Sequence, residues 1–181
     1  MYAPRYSRIL TFVFALCTTL LSSAASASDV SNRARTLIQQ ANFAEAVRTL
    51  EPAARTGDKD AQFELGLLYY NGKGVPENEK RAVELLTASA NAGHVDAMYQ
   101  LGNAFTFGKD TPRLVADTDI AAAEWYYKAA KKGSADAQYS LGLLFMAGKG
   151  VERNDKEASY WMQEAAKGGH KDAKNYVATR K

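Results

Sequence analysis

Cysteine is almost missing from this chain of 181 residues: Cys17 is the only one, and it stands inside an apolar stretch near the N-terminus. Histidine is nearly as rare, with only His94 and His170, and no His-x-x-x-His pair occurs. A zinc site therefore lacks its usual ligands, and no metal or cofactor is expected. Long apolar runs are also few. The longest is "ILTFVFALCTTLL", Ile9 to Leu21, whose 13 residues fall short of the roughly 20 needed to span a bilayer.

That run has the marks of an export signal. Arg5 and Arg8 precede it, and "SSAASA" closes it on the small residues Ala25-Ser26-Ala27. Cleavage is expected after Ala27, giving a 1–27 signal peptide and a periplasmic or secreted chain. Phe14, Ala15 and Leu16 before Cys17 do not suit a lipoprotein signal. Without residues 1–27 no thiol remains, so stability must come from packing rather than disulfides. Losing Arg5 and Arg8 leaves 21 basic against 20 acidic residues, a formal charge of +1 in place of +3. That balance gives no electrostatic basis for a nucleic-acid partner.

What the chain has in abundance is self-similarity. Asp-Ala pairs begin at Asp60, Asp96, Asp136 and Asp172, spaced by 36, 40 and 36 residues. Gly66, Gly102 and Gly142 keep the same register in "ELG", "QLG" and "SLG", and so do Gly93, Gly133 and Gly169. Each unit reads as two helices. The first, Asp60 to Asn71 in the leading unit, carries Ala61, Leu65, Leu68 and Tyr69 at helical spacing and stops at Gly72. The second, about Asn78 to Asn91, carries Ala82, Leu85, Leu86 and Ala90 and stops at Gly93. A helix-interior glycine costs about 1 kcal/mol relative to alanine, so three in register imply helix contacts too close for a side chain. Ala82, Ala122 and Ala158 are the matching small residues of the second helices.

One such pair cannot bury both apolar faces, but stacked pairs can. The expected fold is all-α: a right-handed αα-solenoid of three repeats, about 60–95, 96–135 and 136–171, within 59–170. An N-terminal helical pair over 28–58 is expected to have a tight "ANF" turn and an interruption at Pro52. A capping helix with a basic tip is expected over 171–181. The "GKG" corners at Gly72 and Gly148 are not phosphate loops, because a helix precedes them and valine, not Ser or Thr, follows. Their glycines are expected to end a helix and turn the chain, with the lysines solvated.

The segments "AQFELGLLYYNGKGV" with "AVELLTASANAG", and "AQYSLGLLFMAGKGV" with "ASYWMQEAAKGG", resemble the Sel1-like repeat family, relatives of tetratricopeptide repeats. The middle unit, "AMYQLGNAFTFGKD" with "AEWYYKAAKKG", resembles it less closely. Residues 28–58 resemble a degenerate tetratricopeptide pair. Leu85 stands where the other repeats have Trp125 and Trp161, and the loop Gly108 to Asp119 adds four residues to repeat two. Such an insertion is a candidate binding edge.

Chemistry finds little support. His94 and His170 follow helix-ending glycines, where a cation is favourable. Ser134 and Ser140 have no histidine beside them in the repeat geometry. Asp60, Asp96, Asp136 and Asp172 fit a helix N-cap or first turn better than a carboxylate ladder. What remains is a stripe at i, i+4 and i+7 of the first helices: Phe63, Leu67 and Tyr70; Tyr99, Asn103 and Thr106; Tyr139, Leu143 and Met146. It is either core between repeats or, as the resemblance to tetratricopeptide repeats implies, the lining of an inner groove rimmed by Glu64, Gln100 and Asn71. The resemblance implies scaffolding and protein binding. The leading expectation is a non-enzymatic adaptor that binds a partner protein or peptide in envelope assembly, signalling regulation or toxin immunity. Cysteine-rich Sel1-like proteins linked to β-lactam binding or hydrolysis, and peptidoglycan association, are the alternatives.

Overall fold

The structure is a computed structural model that describes residues 29–110 and 114–180, so the expected export signal lies outside the described residues. Helix α1 covers residues 29–39. It is followed by α2 (Phe43–Arg55), α3 (Lys59–Tyr70), α4 (Glu79–Asn91), α5 (Val95–Phe107), α6 (Thr118–Lys131), α7 (Ala135–Ala147), α8 (Asp155–Lys167) and α9 (Lys171–Ala178). No strand occurs among the described residues. From α2 to α9 each helix packs extensively on its neighbours in the chain. That is the arrangement of a solenoid, in which each unit buries its apolar face on the next.

The in-register glycines sit where the two helices of a repeat cross. A Cβ at Gly66 would lie 3.0 Å from Leu86 Cγ and 3.5 Å from the Ala82 carbonyl. At Gly142 it would lie 3.2 Å from Met162 Cγ and 3.4 Å from the Ala158 carbonyl. At Gly102 it would press into the ring of Tyr126. The sequence stripe and its small partners on α4 and α8 therefore meet as expected. The core runs along the stack in three parts, centred on Leu50, Leu65 and Leu85, then on Leu101, Tyr126 and Leu141, then on Met162 and Ala173. Leu85 and Trp161 are equally buried at their shared repeat position, whereas Trp125 is half-buried with Lys128 Nζ 3.9 Å above its ring.

The passage from one repeat to the next takes three residues. In each case a glycine with positive φ ends the helix, at +93° for Gly57, +91° for Gly93 and Gly133, and +100° for Gly169. The next residue, Asp58, His94, Ser134 or His170, donates its amide back to the helix just ended and caps the helix about to begin. The aspartates of the Asp-Ala pairs lie in the first turn, behind these caps.

Within repeats one and three the corner is the "GKG" turn, with both glycines at positive φ. Its second glycine rests on the start of the preceding repeat's second helix: Gly74 on the Phe43 backbone and Gly150 on the Asp119 carbonyl. Lys73 and Lys149 are exposed, with Lys73 Nζ 5.3 Å above the Phe43 ring.

The N-terminal pair departs from expectation at Pro52. Helix α2 runs through it without a break, because Pro52 lies on the exposed side, where water can replace its missing donor. The tight turn at "ANF" is present, and Ala41 occupies it at φ +58°.

Candidate functional site

The nine stripe residues fall on α3, α5 and α7, and none of them is buried. Phe63, Tyr99 and Tyr139 are half-buried and pack against the core at its margin. Leu67, Tyr70, Asn103 and Met146 are half-buried, while Thr106 and Leu143 are exposed. Burial, followed by Glu79 and Glu77, raises the Tyr70 phenol above its ordinary range.

The stripe is not uniform. In repeat two, Tyr126 Oη donates to Asn103 Oδ1 at 2.8 Å and lies 3.3 Å from the Thr106 hydroxyl. Tyr126 is buried, and burial pushes its phenol up, so the hydroxyl stays a neutral donor. Asn103 and Thr106 thus hold a polar patch where repeats one and three present Leu67 and Tyr70, and Leu143 and Met146. Of the rim, Glu64 receives Arg35 Nε at 2.7 Å and ties α1 to α3. Gln100 accepts from Asn103 at 3.3 Å, and Asn71 bonds back to the Leu67 carbonyl.

Both histidines have a different role from a cation at a helix end. Nδ1 of His94 accepts the Ala97 amide, and Nδ1 of His170 accepts the Ala173 amide, each at 3.3 Å. An acceptor nitrogen needs a free lone pair, so the caps are made by uncharged imidazole. Burial accordingly lowers the proton affinity of His94, against the opposing pull of Asp60 and Asp96. The rings lie flat on Phe63 and Tyr139, and Nε2 faces Asp60 at 3.4 Å and Asp136 at 3.7 Å.

Glu79 carries no obvious signal in the sequence. It opens α4 and is 5% exposed. Its carboxylate accepts the amides of Lys109 at 2.9 Å and Asp110 at 2.6 Å. Where the other repeats press a second glycine onto a helix start, repeat two has Asp110, and its corner is held by this carboxylate instead. The departure of "GKD" from "GKG" was the available clue. The register of Gly57 and Asp58 was another, since the pair stands 36 residues before Gly93 and His94. Val115 of the longer loop packs into the central core, and Asp117 caps α6.

Stacked helical pairs with three-residue junctions and a half-exposed face on the first helices define an αα-solenoid repeat module. The chain belongs to the Sel1 repeat family, whose model matches residues 59–94, 95–134 and 135–170 in succession. The solved structures agree. A Sel1 repeat protein from Oxalobacter formigenes is 31% identical with a TM-score of 0.65, covering 77% of this chain and 39% of that one. The protein c5321, a protective antigen of uropathogenic Escherichia coli strains with an SLR fold, is 35% identical with a TM-score of 0.59, covering 67% of this chain and 25% of that one. Cysteine rich protein B of Helicobacter pylori shares the fold at 21% identity and a TM-score of 0.53, covering 81% of this chain and 96% of that one. This chain thus spans well under half the length of the first two. No curated protein matches it. Sel1-repeat solenoids typically mediate protein–protein interaction, and the fold is generally a non-catalytic scaffold. No helix among the described residues is long and apolar enough to cross a membrane.

Proposed function

We propose that this chain is a non-catalytic adaptor of the cell envelope, periplasmic or secreted, that binds a partner protein or peptide along the first-helix face. The observation that carries the reading is the incomplete burial of Tyr70, Tyr99, Tyr139 and Met146 at one repeat position set, on helices whose starts are fixed by caps. Aromatic and methionine side chains on a rigid scaffold bind at low entropic cost. The export signal supports the envelope location. Roles in assembly, sensor regulation or toxin immunity all fit such a surface. The test is a photoreactive residue at Tyr70 or Met146, with exposed Lys167 as control, in crosslinking from the native envelope. Capture of one dominant partner from the first two positions alone is expected. Equal capture from all three, or none, would remove the face from consideration.

A further inference from the structure

Repeat two breaks the apolar pattern of its neighbours at three positions that lie together. Tyr126 stands where repeats one and three have Leu86 and Met162, Asn103 where they have Leu67 and Leu143, and Thr106 where they have Tyr70 and Met146. Tyr126 is 2% exposed, so its hydroxyl needs a partner inside the protein. One acceptor would satisfy it, yet the arrangement goes further.

The hydrogen bonds around Asn103 have a direction. Thr106 Oγ1 gives its proton to the Gly102 carbonyl at 2.8 Å and so cannot also donate to Tyr126. Tyr126 Oη gives its one proton to Asn103 Oδ1 at 2.8 Å. With that oxygen turned to the buried phenol, the Asn103 amide nitrogen is left as the outer end of the side chain, and it donates to Gln100 Oε1 at 3.3 Å. Gln100 is oriented in the same way, its oxygen engaged and its nitrogen open. The second N–H of Asn103 and both of Gln100 have no partner among the described residues, and both side chains are half-buried on the first-helix face. A chain of bonds that begins at a buried hydroxyl thus ends at the surface in donors alone.

Such a patch takes an oxygen acceptor. None of the nine stripe residues is basic, and the charged rim residue, Glu64, is acidic and already bonded to Arg35. A carboxylate would find no unengaged cation there. An uncharged carbonyl needs none, and its two lone pairs can take one N–H from each amide.

We propose that Asn103 and Gln100 hold a main-chain carbonyl of an extended peptide running along the first-helix face. The inference rests on the reading of that face as the docking surface and adds the form of the partner: a helix has its carbonyls already bonded, whereas an extended segment has them to offer. The flanking repeats present Leu67 and Tyr70 on one side and Leu143 and Met146 on the other. Helices side by side stand roughly 10 Å apart, the reach of about three extended residues. The peptide therefore carries apolar side chains about three residues before and after the bonded carbonyl. Tyr126 is a positioning residue, fixing which way the Asn103 amide faces.

The test is selection of a displayed random dodecapeptide library on the chain from residue 28, then titration of the enriched peptides into ¹⁵N-labelled protein. Peptides with apolar side chains about six residues apart are expected to enrich and to move the side-chain amide resonances of Asn103 and Gln100. Asn103→Asp keeps an oxygen for Tyr126 but replaces the donor with an acceptor, and it should weaken binding about tenfold or more while the protein still unfolds cooperatively. Tyr126→Phe, which frees the Asn103 amide to turn over, should weaken binding less; a packing role alone would leave binding unchanged. If Asn103→Asp does not fold, Asn103→Leu combined with Tyr126→Phe restores the apolar pattern of the other repeats and should fold with the same loss. Peptides weakened by Met146→Ala but indifferent to Asn103→Asp and to the double variant would overturn the carbonyl site and leave the face standing, and peptides helical when bound would do the same. No enrichment, or binding indifferent to Met146→Ala and Asn103→Asp alike, would overturn both.

Discussion

The imidazole of His94 lies on the ring of Phe63 with centroids 4.3 Å and planes 23° apart, and two repeats on His170 lies on Tyr139 at 4.1 Å and 17°. Each stack joins the first helix of one repeat to the N-cap of the next, so one side chain fixes both the helix start and the angle between units. The repeat between them uses Ser134, whose hydroxyl accepts from Ala137 at 3.3 Å, and leaves Tyr99 to pair with Tyr126 at 5.8 Å.

Protonation should loosen the His94 junction. Burial holds its folded-state pKa below the ordinary 6.5, so the unfolded chain takes up a proton that the folded chain resists. The contribution is complete above pH 6.5 and is lost as pH falls from there toward the folded-state value. Urea melts at pH 8 and pH 5.5 should show lower stability at the acid end. His94→Asn, which keeps a capping acceptor but cannot titrate, should lose less between the two pH values, although it starts lower without the ring stack. An equal loss in both proteins would place the pH dependence elsewhere.

The "GKG" glycines should be unequal in cost to the junction glycines. At Gly93 there is open space around the site of a Cβ, so Gly93→Ala should cost only the left-handed strain, about 1–2 kcal/mol. At Gly150 a Cβ would strike the Asp119 carbonyl as well, and Gly150→Ala should cost on the order of 3 kcal/mol or more. Thermal unfolding of the two variants side by side gives the comparison.

Ala41 should improve on replacement. Its φ of +58° suits glycine, and the amides of Ala41 and Asn42 already close the helix end on the Ile38 and Leu37 carbonyls. Ala41→Gly should stabilise the chain by roughly 0.5–1 kcal/mol, the relief of strain exceeding the added freedom of the unfolded chain. Denaturant melts read this directly, and a loss of stability would show that the turn relaxes around alanine.

Glu79→Ala should free the repeat-two corner without unfolding the stack. The amides of Lys109 and Asp110 lose the carboxylate they bond to, at a cost of about 1–3 kcal/mol. Hydrogen exchange should accelerate at those two amides and stay unchanged at Lys73 and Lys149, the matching corners. Glu79→Gln, retaining one acceptor oxygen, should fall between.

Much of this architecture was legible in the chain. Helical pairs, their number and their register followed from Asp-Ala and glycine spacing, because a stacked repeat imposes the same local demands at each turn. The contact of Gly66, Gly102 and Gly142 with the second helices was legible for the same reason: an interior glycine is tolerated only where a side chain would collide. What the chain did not disclose were relationships made across repeats. That His94 and His170 accept rather than donate depends on an amide three residues ahead and on a ring from the first helix of the preceding repeat. That α2 continues through Pro52 depends on which side of the helix faces water. That Glu79 substitutes for a glycine contact depends on a corner some 30 residues away in sequence. The linear sequence thus determined the repeat and its punctuation, which are local. Only the tertiary structure decided protonation state, which aromatic rings stand free, and which way the Asn103 amide faces, because each depends on what stacking brings alongside.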